Sequence, residues 1–318
     1  INAEYGQAYY VKLLENTDLE VMNTDNGESL VACTNFPENA ELLTDVPLIS
    51  YAMPARHYVQ YIMKGQCEQF CFNCFTKFDT EPILCSCQKQ LCFHVYCSEK
   101  CKQRHWMSHW LLCLDNNRAC YAQISDLYSQ ENTYSDYAVA EIIAQLIAKH
   151  CMLLAAGYDN DQCTQKAFGP LRQLFGFKNV DLKGINLKQK FKQVQKVFQG
   201  CNTKLKLILE IPIDVVEQYL TLDVFSYIYS LIAFNSMAIE DIGVGIFSVI
   251  SKMNHSCIPN CRIVFQGNEA TIVTERPVQQ GEELNISYIN DQLSKDERQK
   301  LLAEGWGFVC NCQKCQSE

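Results

Sequence analysis

The chain has 318 residues, 48% of them apolar and 20% charged, with a formal net charge of −9 and 19 cysteines. That excludes a disordered chain and leaves room for two or three domains with sizeable cores. The acidic balance also argues against bulk nucleic-acid binding, which needs clustered Lys and Arg, and makes a basic peptide the better guest. The longest stretch without a charged residue, Val224 to Ile239, is interrupted by Ser226, Ser230, Asn235 and Ser236, so no membrane span is expected. From Ile1 onward the order of basic, apolar and small residues that marks a signal peptide is missing. A reducing compartment, nucleus or cytoplasm or both, is therefore expected, and there many cysteines point to metal thiolates before disulfides.

Nine cysteines fall from Cys67 to Cys113, and after Cys67 they form the series Cys71-x2-Cys74, then Cys85, Cys87 and Cys92, then Cys97-x3-Cys101, then His109-x3-Cys113. A Cys-x2-Cys knuckle lets two thiolates meet one ion at about 2.3 Å, and Cys-x3-Cys or His-x3-Cys does the same from one helical face. Lys100, Lys102 and Arg104 with Trp106 and Trp110 predict a short amphipathic helix after Cys97. So few residues cannot bury a core alone, so two zinc ions are expected to supply most of the fold. Lys100, Lys102, Arg104 and His105 read as a solvated helix face, and direct nucleic-acid binding is not expected. The scattered Cys33, Cys120, Cys151, Cys163 and Cys201 read as core packing.

Further along, helices are predicted over Tyr137 to Ala156, Leu187 to Gln199 and Val215 to Phe234. They are separated by Gly, Asn and Pro signals at Gly157 to Asp161, Gly176 to Asn179 and Pro212. Asp214 with Glu217 suggests a capping box for the third helix. The stripe Ile142, Ile143, Leu146, Ile147 and Leu153 reads as helix-packing core.

After this helical insert come Gly243-Val-Gly-Ile-Phe-Ser-Val-Ile-Ser251 and Asn254-His-Ser-Cys-Ile-Pro-Asn260. Two β-like runs follow, Arg262 to Phe265 and Ala270 to Thr274, with a hairpin turn at Gly267-Asn268. Gly281-Glu-Glu-Leu-Asn-Ile-Ser-Tyr288 and the tail Trp306-Gly-Phe-Val-Cys310-Asn-Cys312-Gln-Lys-Cys315 complete the series.

Cys97, Cys101, His109 and Cys113 resemble the end of the MYND zinc finger pattern, while the Asn254 motif, Tyr288 and the Cys-x-Cys-x2-Cys tail resemble a SET domain with its post-SET segment. In this order the chain resembles the SET-and-MYND-domain family of protein lysine methyltransferases. The resemblance implies an α+β fold: a SET-domain β-fold with a pseudoknot, an inserted finger, a helical insert and a zinc-binding tail. The implied divisions are 1–66 for the first part of the SET domain, 67–115 for the finger, 116–240 for the insert, 241–290 for the core SET domain and 291–318 for the post-SET segment.

The resemblance also implies ligands and roles. Cys71, Cys74, Cys97 and Cys101 would hold one zinc, and His109, Cys113 and an intervening pair the other. Cys92 is the better member of that pair, with Cys85 or Cys87 as its partner and His94 as a substitute. Cys257 would complete a third zinc site with Cys310, Cys312 and Cys315, with Cys261 as the competing ligand. Four cysteines and no open position imply a structural ion. S-adenosylmethionine and three zinc ions are the implied cofactors. Tyr288 would line the lysine tunnel as the catalytic residue, Ser251 would lie near it, and Asn235, Asn254, His255, Phe308 and Glu28 would bind the cofactor. A Gly-x-Gly usual in the family is replaced by Gly27-Glu28-Ser29, which would narrow or alter the cofactor pocket. Implied partners are a lysine-containing protein or peptide, histone or non-histone, and a proline-rich peptide at the finger; a monomer is expected. Relatives continue into a helical repeat domain, so a chain ending at Glu318 implies a more open groove or a piece cut short. An adaptor that has lost catalysis is the alternative function.

Overall fold

The computed structural model describes residues 3–52, 69–85, 92, 94–113, 134–174, 187–240 and 242–318. Two compact units emerge, Ile1–Pro47 with Phe247–Glu318, and Leu48–Ile246.

In the first unit, helix Ala3–Leu13 is followed by the antiparallel hairpin Leu19–Thr24 and Gly27–Ala32. The reversal needs a residue with φ of +96°, which Gly27 adopts without steric cost. Tyr10 of the helix, almost fully buried, donates its hydroxyl to the Ser248 carbonyl at 3.2 Å. The two β-like runs become Cys261–Gln266 and Glu269–Thr274, turning through Gly267 at φ +63°, and strand Glu41–Asp45 pairs with the second. At the end of that strand the buried Asp45 Oδ2 accepts from the Val249 and Ile250 amides at 2.7 and 3.1 Å, which starts the 3-10 turn Ile250–Lys252. Beyond that turn, strand Asn254–His255 lies parallel to Asn285–Ile286. Parallel pairing of segments separated by a complete hairpin is the juxtaposition that the pseudoknot reading requires. Helices Lys295–Gly305 and Gln313–Ser317 form the tail, the first opened by a Ser294 and Glu297 capping box.

In the second unit, the long helix Tyr134–Ala155 buries Ile142, Ile143, Leu146 and Ile147 against Val194, Val197 and Phe198 of Leu187–Leu207 and Phe225 and Ile232 of Leu222–Asn235. This is the core expected of the apolar stripe. The finger contributes to it as well: Leu111 and Leu112 join the cluster, and the Cys201 thiol donates to the Leu111 carbonyl at 3.5 Å. Cys151, Cys163 and Cys201 are buried and Cys33 is half-buried; Cys120 lies outside the described residues. A three-stranded antiparallel sheet places Gly243–Ile246 between Ile49–Ala52 and Ser236–Ile239.

Three expectations need correction. The third predicted helix is two, Ile213–Glu217 and Leu222–Asn235. Thr221 breaks the run by turning extended and accepting the Val224 amide on its side chain. Asp214 is no cap, because Pro212 holds that position without a side-chain hydrogen bond. In addition, part of the segment read as a separator opens helix Asn160–Phe168, capped by Asp159 and Gln162 in a full capping box.

At Gly243 an added Cβ would stand 2.3 Å from the Tyr51 carbonyl oxygen and 2.8 Å from the Phe75 ring. Neither neighbour is the free end of a flexible side chain. Gly243→Ala is therefore expected to destabilise the chain by about 1–3 kcal/mol, measured by denaturant unfolding; wild-type stability would contradict this packing.

Candidate functional site

Three groups of four ligands converge, each with its donor atoms within 4.8 Å of one another: Cys71, Cys74, Cys97 and Cys101; Cys85, Cys92, His109 and Cys113; Cys257, Cys310, Cys312 and Cys315. Sulfurs bound tetrahedrally at about 2.3 Å from one zinc stand about 3.8 Å apart. Cys74 to Cys97, Cys97 to Cys101 and Cys257 to Cys315 measure 3.6 Å, and Cys257 to Cys310 measures 4.0 Å. The donor sets and spacings fit three structural zinc ions with closed coordination.

One helix feeds both finger ions. In Glu99–His109, whose amino end Ser98 caps on the Cys101 amide, Cys101, His105 and His109 recur every fourth residue and form one buried face. Cys101 joins the first tetrad and His109 the second, which is the crosswise arrangement. Between them His105 is not on the solvated face expected of it: it is buried, with Nδ1 2.9 Å from the Tyr96 hydroxyl, and burial pushes its pKa down to about 3. His94 is outside the tetrads; its ring packs on Phe72 and His109, with Nδ1 3.4 Å from Cys92 Sγ. Burial, with the neighbouring histidines, holds it neutral. Cys85 stands in the second tetrad, whereas Cys87 lies outside the described residues.

The tail tetrad adjoins the Asn-His strand. The Tyr288 amide donates to His255 Nδ1 at 3.0 Å. An amide can only donate, so Nδ1 is the acceptor nitrogen and the neutral ring carries its proton on Nε2. Nε2 lies 3.3 Å from Cys257 Sγ, so His255 spans from a zinc ligand to the tyrosine backbone. Burial and the charge of Arg298 push the imidazole down to about 4, which keeps it in this neutral form. On its other side Tyr288 donates its hydroxyl to the Met253 carbonyl at 2.7 Å. Burial and the charge of Glu283 push the phenol up to about 12, so it stays protonated across the physiological range.

Asn254 donates both amide hydrogens, to Ser29 Oγ at 2.7 Å and Glu283 Oε1 at 2.8 Å. Its Oδ1 is then the acceptor left for a ligand. The fully buried Ser29 thus belongs to the same network, and Glu28 pairs with the buried Lys252 at 2.5 Å, over the ring of Tyr10. The half-buried Phe308 has its ring centroid 6.1 Å from that of His255. Ser251 donates to the Phe247 carbonyl at 2.5 Å. Cys261 is buried in its strand, outside the tail tetrad. Asn235 belongs to the second unit, where it ends its helix with Nδ2 donating to the Leu231 carbonyl at 2.6 Å. Sequence reasoning assigned no role to Lys252, Glu283, Arg298 or Asn260. Of these, Asn260 and Glu283 carried a local signal, as members of the Asn254 and Gly281 motifs.

A family model described as the SET domain matches residues 27–289. The chain belongs to the SET-domain family. The Homo sapiens histone-lysine N-methyltransferase SMYD3 is 26% identical to this SET chain over 228 residues, covering 70% of it and 47% of the human protein. The Schizosaccharomyces pombe SET domain and MYND-type zinc finger protein 6 is 33% identical over 101 residues, covering 30% of this chain and 21% of the yeast protein. The SET chain therefore spans less than half of either relative. Among solved structures, that of the SET domain of LSMT bound to methyllysine and AdoHcy covers 96% of this chain and 57% of its own, at 12% identity and a TM-score of 0.42. The SET match, the SET-and-MYND relatives and the three cysteine-rich tetrads bear out the resemblance and the α+β fold class.

Zinc counting by native mass spectrometry should give three ions for the SET chain and two for Cys85→Ser. A variant that retains three ions would remove Cys85 from the second tetrad.

Proposed function

We propose that this SET chain is an S-adenosylmethionine-dependent protein lysine N-methyltransferase acting on histone or non-histone lysines. The observation that carries the reading is Tyr288, its backbone amide fixed on His255 and its hydroxyl on the Met253 carbonyl, with Asn254 between those two residues in its own network. S-adenosylmethionine supplies a methyl group already activated on a sulfonium, so the protein's task is geometry and exclusion of water. Asn254 offers Oδ1 as an acceptor and Phe308 offers a half-buried aromatic face. These suit an amino group and a flat heterocycle. His255 and Glu28 complete the cofactor-binding set of this unit by resemblance.

Tyr288 acts as a neutral phenol. With its proton given to Met253, the oxygen presents lone pairs that orient an incoming amine, and it is too weak an acid to serve as a base at neutral pH. The lysine amine must arrive without its proton. Its ordinary pKa near 10.4 falls in a partly dry channel, which disfavours the ammonium form. Ser251 belongs to this channel in the proposal, and the division into segments 1–66, 67–115, 116–240, 241–290 and 291–318 goes with it. So do a monomeric state, action in the nucleus, the cytoplasm or both, and a proline-rich peptide at the finger. Among the described residues no helix is long and apolar enough to cross a membrane.

The second reading is a SET-fold adaptor without catalysis, favoured by Ser29, whose buried hydroxyl stands where the family usually has a glycine. Transfer of tritiated methyl groups to histones and lysate proteins separates the two. The enzyme should label a protein band, and Tyr288→Phe should lower the rate by about 100-fold or more, the scale for losing one preorganised polar group. A Phe variant as fast as the wild type would remove Tyr288 from the chemistry.

A further inference from the structure

Arg298, on helix Lys295–Gly305, is 1% exposed and is the largest fully buried side chain among the described residues. A guanidinium out of water needs a compensating anion. Its Nη1 donates to the Leu293 carbonyl at 2.5 Å, which is neutral. Its Nη2 donates to Glu318 Oε2 at 2.7 Å, but that side chain is 41% exposed, and a carboxylate in water compensates weakly. Nε has no partner. What remains is sulfur: Nη2 lies 3.7 Å from Cys315 Sγ, and the charge also interacts with Cys257. Four thiolates around one Zn²⁺ carry a net charge of −2, and this is the buried anion that the arginine's position calls for.

We infer that Arg298 is the counter-ion of the tail zinc cluster, placed on Cys315 and Cys257 to hold the four-thiolate form against metal loss and electrophilic attack. The inference rests on reading Cys257, Cys310, Cys312 and Cys315 as a zinc site. Donation of N–H to a bound thiolate draws electron density from sulfur and lowers its reactivity while it stays on the metal. His255 Nε2 donates to Cys257 as well, so the cluster receives one cationic and one neutral donor. The competing role for Arg298 is a clasp that pins the tail through Leu293 and Glu318.

Alkylation by iodoacetamide, mapped to peptides of the full zinc-loaded chain, separates counter-ion from clasp. Arg298→Met should raise the rate at Cys257, Cys310, Cys312 and Cys315 by about 10- to 100-fold, the usual scale for losing an outer-shell partner. Cys71, Cys74, Cys97 and Cys101 should stay at the wild-type rate. Glu318→Gln breaks the clasp but not the sulfur contacts, and should leave the tail cysteines protected. If Arg298→Met exposes finger cysteines too, Arg298→Lys decides, since it keeps the charge and loses the fork: tail cysteines markedly less reactive than in Arg298→Met support the assignment. Tail cysteines in Arg298→Lys as reactive as in Arg298→Met, or a Glu318→Gln variant as reactive as Arg298→Met, would overturn it. A wild-type chain that holds fewer than three zincs, with its tail cysteines already reactive, would instead overturn the zinc reading beneath it.

Discussion

Two residues of parallel pairing, Asn254 with Asn285 and His255 with Ile286, bring the motif that carries Asn254 beside the one that carries Tyr288. So short a ladder does not persist by its own hydrogen bonds. It is held by side chains on the same segment. Asn260, 1% exposed, donates to Glu282 Oε1 and the Glu283 carbonyl at 3.0 and 2.8 Å and accepts the Asn285 amide at 2.7 Å. Each of these groups would cost about 1–3 kcal/mol if buried without a partner, so the residue fixes the crossing more firmly than the ladder does. Cys257, between the strand and Asn260, ties the same segment to the tail through its tetrad. The candidate site is thus an arrangement of short extended pieces, each fixed by a buried polar side chain or a thiolate.

That construction explains what the sequence made legible and what it hid. Metal ligands announce themselves by spacing, because a knuckle or a helical turn must present its donors within a few residues; Cys71, Cys74, Cys97, Cys101 and His109 could be read that way. The hairpin at Gly267 was legible for a similar local reason, as the turn needs a positive φ. Helix Asn160–Phe168 also had a local signature in Asp159 and Gln162, which the surrounding Gly157 and Asp161 masked. The break at Thr221 was written in a cap whose partner is three residues away, yet the apolar period from Val215 to Phe234 ran across it.

Other features have no local signature at all. Ser29 meets Asn254 and Glu28 meets Lys252 across more than two hundred residues of chain, and nothing near either end marks the contact. Substitution of a glycine by Ser29 looked like an obstruction in the linear pattern. In three dimensions its hydroxyl fixes the Asn254 amide and thereby sets which atom Asn254 offers outward. His105 shows the converse error, because a basic run suggested a solvated face while helical geometry turned one member inward. Charge patterns describe a helix surface only after the phase of the helix is known.

The zinc sites and the proposed cofactor site are linked by covalent neighbourhood and by one imidazole, so a chain carrying its three zinc ions should have a formed cofactor pocket. Calorimetric titration of S-adenosylmethionine into zinc-loaded wild-type chain tests this most directly, with Cys257→Ser as the comparison. Saturable one-to-one binding by the wild type, lost in the variant together with one zinc, is the expected result. A wild type that holds three zincs and gives no binding heat, or a Cys257→Ser chain that binds as well as the wild type, would contradict it.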